Sequence, residues 1–200
     1  MSNVKPRERV VEAMRVLVET LNKEYGWFNK EELENTPIRV AKFFEEWYQM
    51  AKENVEEHIK TFETTYDGFV MDTHIPVIGM CSHHMLPIIG EMHIVYIPGT
   101  DEDGKLKVVG LSKLSRIAKR HMYQPMIQEE FTEKVLNDLI EEINPMWAMV
   151  VVKAQHDCKR IRGARDINSE MITVRIWPNN EKGRELEKKA IEYLKLAGVL

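Results

Sequence analysis

Only two cysteines occur in this 200-residue chain, and each stands within two residues of a histidine, in Cys81-Ser82-His83-His84 and in His156-Asp157-Cys158. A fold that uses both must bring these distant segments together. Catalytic zinc takes three protein ligands from cysteine, histidine or carboxylate, keeps a fourth position for water and lowers that water's pKa to about 7. Two cysteines and one histidine meet that demand. Cys81 and His84, separated by two residues, can be presented by one turn, and Cys158 completes the set. His83 and His156 then stand beside the metal as imidazoles suited to moving protons near neutral pH. A closed structural site made of both cysteines and two histidines is the alternative, and it leaves a third histidine and the nearby cations without a role. A disulfide is the poorer reading, because the opening residues carry no secretory pattern and each cysteine has a histidine beside it.

The formal net charge of -4 argues against general nucleic-acid binding, which needs a basic surface to displace counterions from phosphates. Any anionic ligand must therefore be held by a local basic cluster. No apolar stretch approaches the roughly 20 residues that span a bilayer, so a cytoplasmic protein with no membrane contact is expected.

Apolar residues at Val10, Val11, Met14, Leu17, Val18 and Leu21 recur at helical spacing, which predicts an amphipathic helix over Arg7 to Leu21. Asn35-Thr36-Pro37 reads as the start of a second helix, with Thr36 as N-cap and Pro37 in the first turn, running to about Lys52. Arg39 and Lys42 lie three apart on it, facing one ligand or forming a solvated basic edge. After a polar stretch around Glu53 to His58, strand-like runs follow at Thr61 to Tyr66, Phe69 to Ile78, Met92 to Ile97 and Leu106 to Val109.

Gly110-Leu111-Ser112 then hands over to a helix with serine at or near its cap. Helix N-termini present unpaired amides and a partial positive charge, so Ser112, Lys113 and Arg116 form a candidate phosphate site. Pro125 ends that helix, and another follows with Phe131, Val135, Leu139 and Ile143 on one stripe until Asn144-Pro145. Gln128 and Glu129 open it; a carboxylate there can accept two hydrogen bonds from the N–H and amino edge of guanine, or can simply complement the helix dipole. Trp147 to Val152 is an apolar strand that delivers the chain into His156-Asp157-Cys158, with Arg162 shortly after. Met171 to Trp177 is a last strand, and Glu181 to Leu196 a charged helix expected to be solvated. The expected organisation is an N-terminal helical region over 1–59, a catalytic α+β domain over 60–178 and a helical tail over 179–200.

Five stretches together resemble the GTP cyclohydrolase I family: Thr36 to Lys42, Cys81 to Pro87, Val109 to Ile117, Gln128-Glu129, and His156-Asp157-Cys158 through Arg162-Gly163. The resemblance implies the tunnelling fold, a four-stranded antiparallel sheet with two helices on one face, closed by several subunits into a barrel. It implies a homo-oligomer, usually a decamer, with active sites at subunit interfaces. It also implies Cys81, His84 and Cys158 as zinc ligands and His83 and His156 as proton-transfer groups. Ser112, Lys113, Arg116 and Arg162 would grip a triphosphate, with Arg39 and Lys42 adding to them, and Glu129 with Gln128 would contact guanine. The implied reaction is hydrolytic opening of the imidazole ring of GTP: activated water adds at C8, formate leaves, and the ribose carbons close into 7,8-dihydroneopterin triphosphate. The chain departs from the family pattern at Ser82, usually glutamate, at Gln124, usually basic, and at Glu130, usually arginine. Those departures leave the metal set intact. They keep two other readings open, a zinc-dependent hydrolase that stops at ring opening or takes another purine nucleotide, and a non-catalytic zinc-stabilised oligomer that binds nucleotides.

Overall fold

The computed structural model describes residues 5–53 and 60–199, in two compact units that divide after Glu53. The polar stretch around Glu53 to His58 and the expected junction near residue 59 fall mostly on 54–59, outside the described residues.

The first unit is a pair of helices, α1 (Glu8–Tyr25) and α2 (Lys30–Glu53). Gly26 closes α1 in the left-handed conformation, φ 68°, its N–H returning 2.8 Å to the Asn22 carbonyl. The start of α2 lies nearly two turns before the Thr36 cap that Asn35-Thr36-Pro37 suggests. Asn29 and Glu32 form a reciprocal capping box: the Glu32 N–H donates to Asn29 Oδ1 at 3.0 Å and the Asn29 N–H to Glu32 Oε2 at 2.8 Å. Two satisfied backbone donors outweigh the single intrahelical bond that Pro37, inside the helix, cannot make.

The second unit is built on an antiparallel sheet of four long strands, β2 (Val70–Cys81), β3 (Pro87–Ile97), β7 (Trp147–His156) and β8 (Met171–Trp177), adjacent in that order. Two-residue β6 (Pro125–Met126) adds to the β2 edge in parallel, pairing with Met80 and Cys81. A second, three-stranded sheet joins β1 (Thr61–Thr64), β5 (Leu106–Val109) and β4 (Gly99–Thr100).

Alternation along the strands splits the core into two layers. On one face, Ile75, Val77, Met92, Ile94, Val150 and Val152 pack against α3 (Leu111–Met122) and α4 (Gln128–Ile143) through Leu114, Ile117, Phe131, Val135 and Leu139. These are the two helices expected on one face. Arg120 and His121 of α3 bridge to α4, with Arg120 Nη1 3.2 Å and His121 Nε2 3.1 Å from Asp138 Oδ2, and Arg120 Nη2 2.9 Å from Glu142 Oε1. The opposite face carries a third helix. Val95, Ile97, Trp147, Met149 and Val151 are buried under α6 (Glu181–Leu196) through Ala190 and Leu194. The charged tail is therefore half of a core layer and not a solvated helix. Its four-residue repeat of small and branched apolar residues outweighs its high charge. Gly183 allows the approach: Trp147 Nε1 donates to its carbonyl at 3.0 Å, and a Cβ there would sit 1.9 Å from the Pro178 carbonyl oxygen.

Candidate metal centre

The hairpin between β2 and β3 is where the first cluster acquires its geometry. Cys81 is the last residue of β2, and the chain turns at once through Ser82, His83 and His84. Met85 takes a left-handed conformation, φ 55°, so that its N–H returns 2.9 Å to the Cys81 carbonyl while the Cys81 N–H donates to the Leu86 carbonyl at 2.8 Å. This closure folds His84 back over Cys81, with Nδ1 3.7 Å from Sγ. The other cluster arrives from β7. His156 lies opposite Ile88 of β3, and the chain passes into one turn of helix, α5 (Asp157–Arg160), which carries Cys158.

Cys81 Sγ, a His84 ring nitrogen and Cys158 Sγ all lie within 4.8 Å of one another, and this is the metal-competent grouping among the described residues. Both cysteines are free thiols, Cys81 buried and Cys158 partly so. Without a metal, burial pushes the Cys158 thiol above its ordinary range, with the neighbouring Cys81 thiol adding to the effect. Two soft sulfurs and one imidazole are a donor set that suits zinc, and binding would draw the thiol protons off. The remaining histidines differ. His83 is exposed on the turn, its ring centroid 6.2 Å from that of His84. His156 is partly buried, and burial holds its imidazole below the ordinary value, opposed by the Glu129 carboxylate and assisted by Lys159.

The other expected site residues fall into three groups. Glu129 and Arg162 are within electrostatic reach of the centre, Glu129 acting on His156 and Arg162 on Cys158. Gln128 does not face a ligand. Its side chain is fully buried, its Nε2 lies 3.1 Å from the Val152 carbonyl, 3.0 Å from the Met171 carbonyl and 3.1 Å from Thr173 Oγ1, and its Oε1 lies 2.7 Å from His156 Nε2. The amide's hydrogen-bonding groups are thus engaged within the protein. Thr132 and Thr173, which flank it, were not among the sequence candidates, and only the four-residue step from Gln128 to Thr132 hinted at one of them.

Ser112, Lys113 and Arg116 lie on the first turn and a half of α3, where Gly110 is the N-cap and no side chain caps the helix. Ser112 is thus the second residue of the helix, near the cap, with Gly110 as the cap itself. The C-terminal Met122 of α3 leads into β6, which pairs with Cys81, and about 16 Å of helix separates Met122 from Leu111. Within one chain the basic cluster and the metal centre therefore stand toward opposite ends of α3. Arg39 and Lys42 belong to the first unit, where Arg39 Nη2 is 2.9 Å from Glu31 Oε1 and Lys42 Nζ is 3.8 Å from Glu46 Oε1. Gln124 and Glu130 are exposed beside β6, and Ser82 is exposed on the turn.

The chain is similar in sequence to known proteins over most of its length. The model of the family described as GTP cyclohydrolase I matches residues 10–195. A protein named GTP cyclohydrolase 1 from Clostridium perfringens is 32% identical over 187 residues, 93% of this chain and 94% of that protein. One from Desulforamulus reducens is 34% identical over 180 residues, covering 88% and 92%. Another, from Acetivibrio thermocellus, is 36% identical over 168 residues, covering 84% and 86%.

Proposed function

Because this chain belongs to the GTP cyclohydrolase I family, we propose that it converts GTP and water into formate and 7,8-dihydroneopterin triphosphate at a zinc centre held by Cys81, His84 and Cys158. The observation that carries this reading is the convergence of those three donors, with His156 two residues before Cys158. Zinc bound there supplies a Lewis acid that lowers the pKa of a coordinated water.

The reaction consumes two waters in breaking C8–N7 and C8–N9 and releases one when the new ring closes, so one is used overall. Each broken bond leaves a nitrogen that must gain a proton, and the ribose must then isomerise before it closes. His83 and His156 are the groups that carry these protons. Glu129, exposed at the first turn of α4, accepts hydrogen bonds from the guanine edge. Arg162 holds phosphate oxygens near Cys158. Ser112, Lys113 and Arg116 provide the rest of the triphosphate grip, through side-chain charge and the positive end of the α3 dipole. Their separation from the metal centre along α3 supports a homo-oligomer in which one copy's basic cluster faces another copy's metal centre. A decamer closed into a barrel is the assembly this family reading favours. No helix among the described residues is long and apolar enough to cross a membrane, which agrees with a cytoplasmic enzyme.

The test is incubation of zinc-loaded protein with GTP, measuring formate and, after oxidation, pterin fluorescence. Both products in equal amounts support the proposal. Formate alone marks an enzyme that stops at ring opening, and neither product from protein with zinc bound defeats any hydrolytic reading.

A further inference from the structure

The hydrogen bonds around Gln128 assign more than its burial, because the acceptors around its nitrogen fix which way the amide points. We infer that Gln128 is a positioning residue that locks His156 in the tautomer with its proton on Nε2, leaving Nδ1 as the nitrogen that exchanges protons during turnover. This rests on the reaction proposed above.

The Val152 and Met171 carbonyls can only accept, so the NH2 of Gln128 must face them, at 3.1 and 3.0 Å. The flipped amide would set a carbonyl oxygen against two others at the same distances. The hydroxyls fix the remaining positions. Thr132 Oγ1 donates to the Gln128 backbone carbonyl at 2.8 Å, which uses its one proton. At the 2.6 Å contact between the two threonines, Thr173 must therefore be the donor, and its lone pairs are left to accept from Gln128 Nε2 at 3.1 Å. With the NH2 so oriented, Gln128 Oε1 is the atom 2.7 Å from His156 Nε2. A carbonyl oxygen cannot donate, so Nε2 carries the hydrogen, and Nδ1 is the nitrogen left to lose and regain a proton. Gln128 and Thr132 are fully buried, so water cannot substitute for a missing partner without a large desolvation cost. The device ties His156, at the end of β7, to the first turn of α4 and to β8. The ring's orientation is thereby set by three elements of the core.

The test uses zinc-loaded protein labelled with 15N-histidine and solid-state NMR, with the His156 signals assigned by difference from His156→Asn. The wild type should show protonated Nε2 and bare Nδ1. Gln128→Met should mix the tautomers and lower kcat by roughly 10–100-fold, the range for loss of a supporting hydrogen bond behind a functional histidine, with KM for GTP unchanged. Thr173→Val, which keeps both carbonyl contacts, should shift both readouts in the same direction but less, and it carries the kinetic test if Gln128→Met fails to fold or to hold zinc. A proton on Nδ1 in the wild type overturns the inference. So does a raised KM with unchanged kcat in Gln128→Met, since that marks a substrate contact. If the wild type does not turn over GTP, the proposed reaction fails, and the spectrum still decides the tautomer.

Discussion

Gly90→Ala tests whether strand register builds the metal centre. Gly90 of β3 lies opposite Ala154 of β7, two residues from the Ile88–His156 pair. A Cβ at Gly90 would lie 2.1 Å from the Lys153 carbonyl oxygen and 2.5 Å from Ala154 Cα, both of them backbone atoms that no rotamer change can move. Ordinary contact lies near ~3.5 Å, so the strands must part or shear by about 1 Å. Overpacking of this kind costs about 1–3 kcal/mol, while removing a glycine from a strand returns roughly 0.5–1 kcal/mol. The net is about 0–2.5 kcal/mol of destabilisation, centred near ~1 kcal/mol. At about 2–4 °C per kcal/mol for a chain of this size, Tm should fall by a few degrees and by at most about 10 °C. Differential scanning calorimetry at fixed protein concentration reads this loss, since assembly makes Tm concentration-dependent. Because β7 carries Cys158 toward a hairpin that holds Cys81 and His84, zinc affinity should fall alongside Tm. A variant with unchanged Tm and unchanged zinc affinity would refute the argument that close β3–β7 packing sets the ligand spacing.

Three further outcomes follow from the same geometry. Cys158→Ala should lose zinc and turnover together, whereas His83→Ala should keep zinc and lose turnover; metal analysis beside steady-state kinetics separates the two, and full activity in His83→Ala would remove it from proton transfer. Lys113→Ala and Arg116→Ala should each raise KM for GTP about 10–100-fold, equivalent to about 1.5–3 kcal/mol for a hydrogen bond to a charged group, with kcat less affected. Burial alone would raise the Asp138 pKa, but hydrogen bonds and charge from His121 and Arg120 outweigh it and hold the carboxyl below the usual range. A depressed folded pKa adds stability that is fully present above the unfolded value near ~3.9 and is lost as pH falls through the folded value. Urea titrations should therefore show Asp138→Asn less stable than wild type at neutral pH, with the gap closing in acid; a gap that persists unchanged in acid would contradict the assignment.

The grouping of Cys81, His84 and Cys158 was legible because ligand chemistry restricts such a set to few residue types, and the chain has only two cysteines to offer. The long strands and the α3–α4 pair were legible because their apolar periods are local properties. Other features depended on distant partners. The buried network of Gln128 could not be read from its neighbours in sequence, because its partners Val152, Met171, Thr173 and His156 come from two strands that follow later in the chain. The tail helix hides its role for a similar reason, since Ala190 and Leu194 are too few to announce a core face until Trp147 and Met149 are placed opposite them. The start of α2 was recoverable, because Asn29-x-x-Glu32 is a capping box in plain text; the proline at 37 was the stronger but misleading cue.

The central claim is that GTP opening depends on a metal held by Cys81, His84 and Cys158. Titrating zinc into chelator-stripped protein, while following formate release from GTP, tests it most directly. The rate should rise linearly and reach its plateau at one zinc per subunit, and Cys158→Ala should show no rise at all. Full formate release from zinc-free protein, or normal zinc activation of Cys158→Ala, would contradict it.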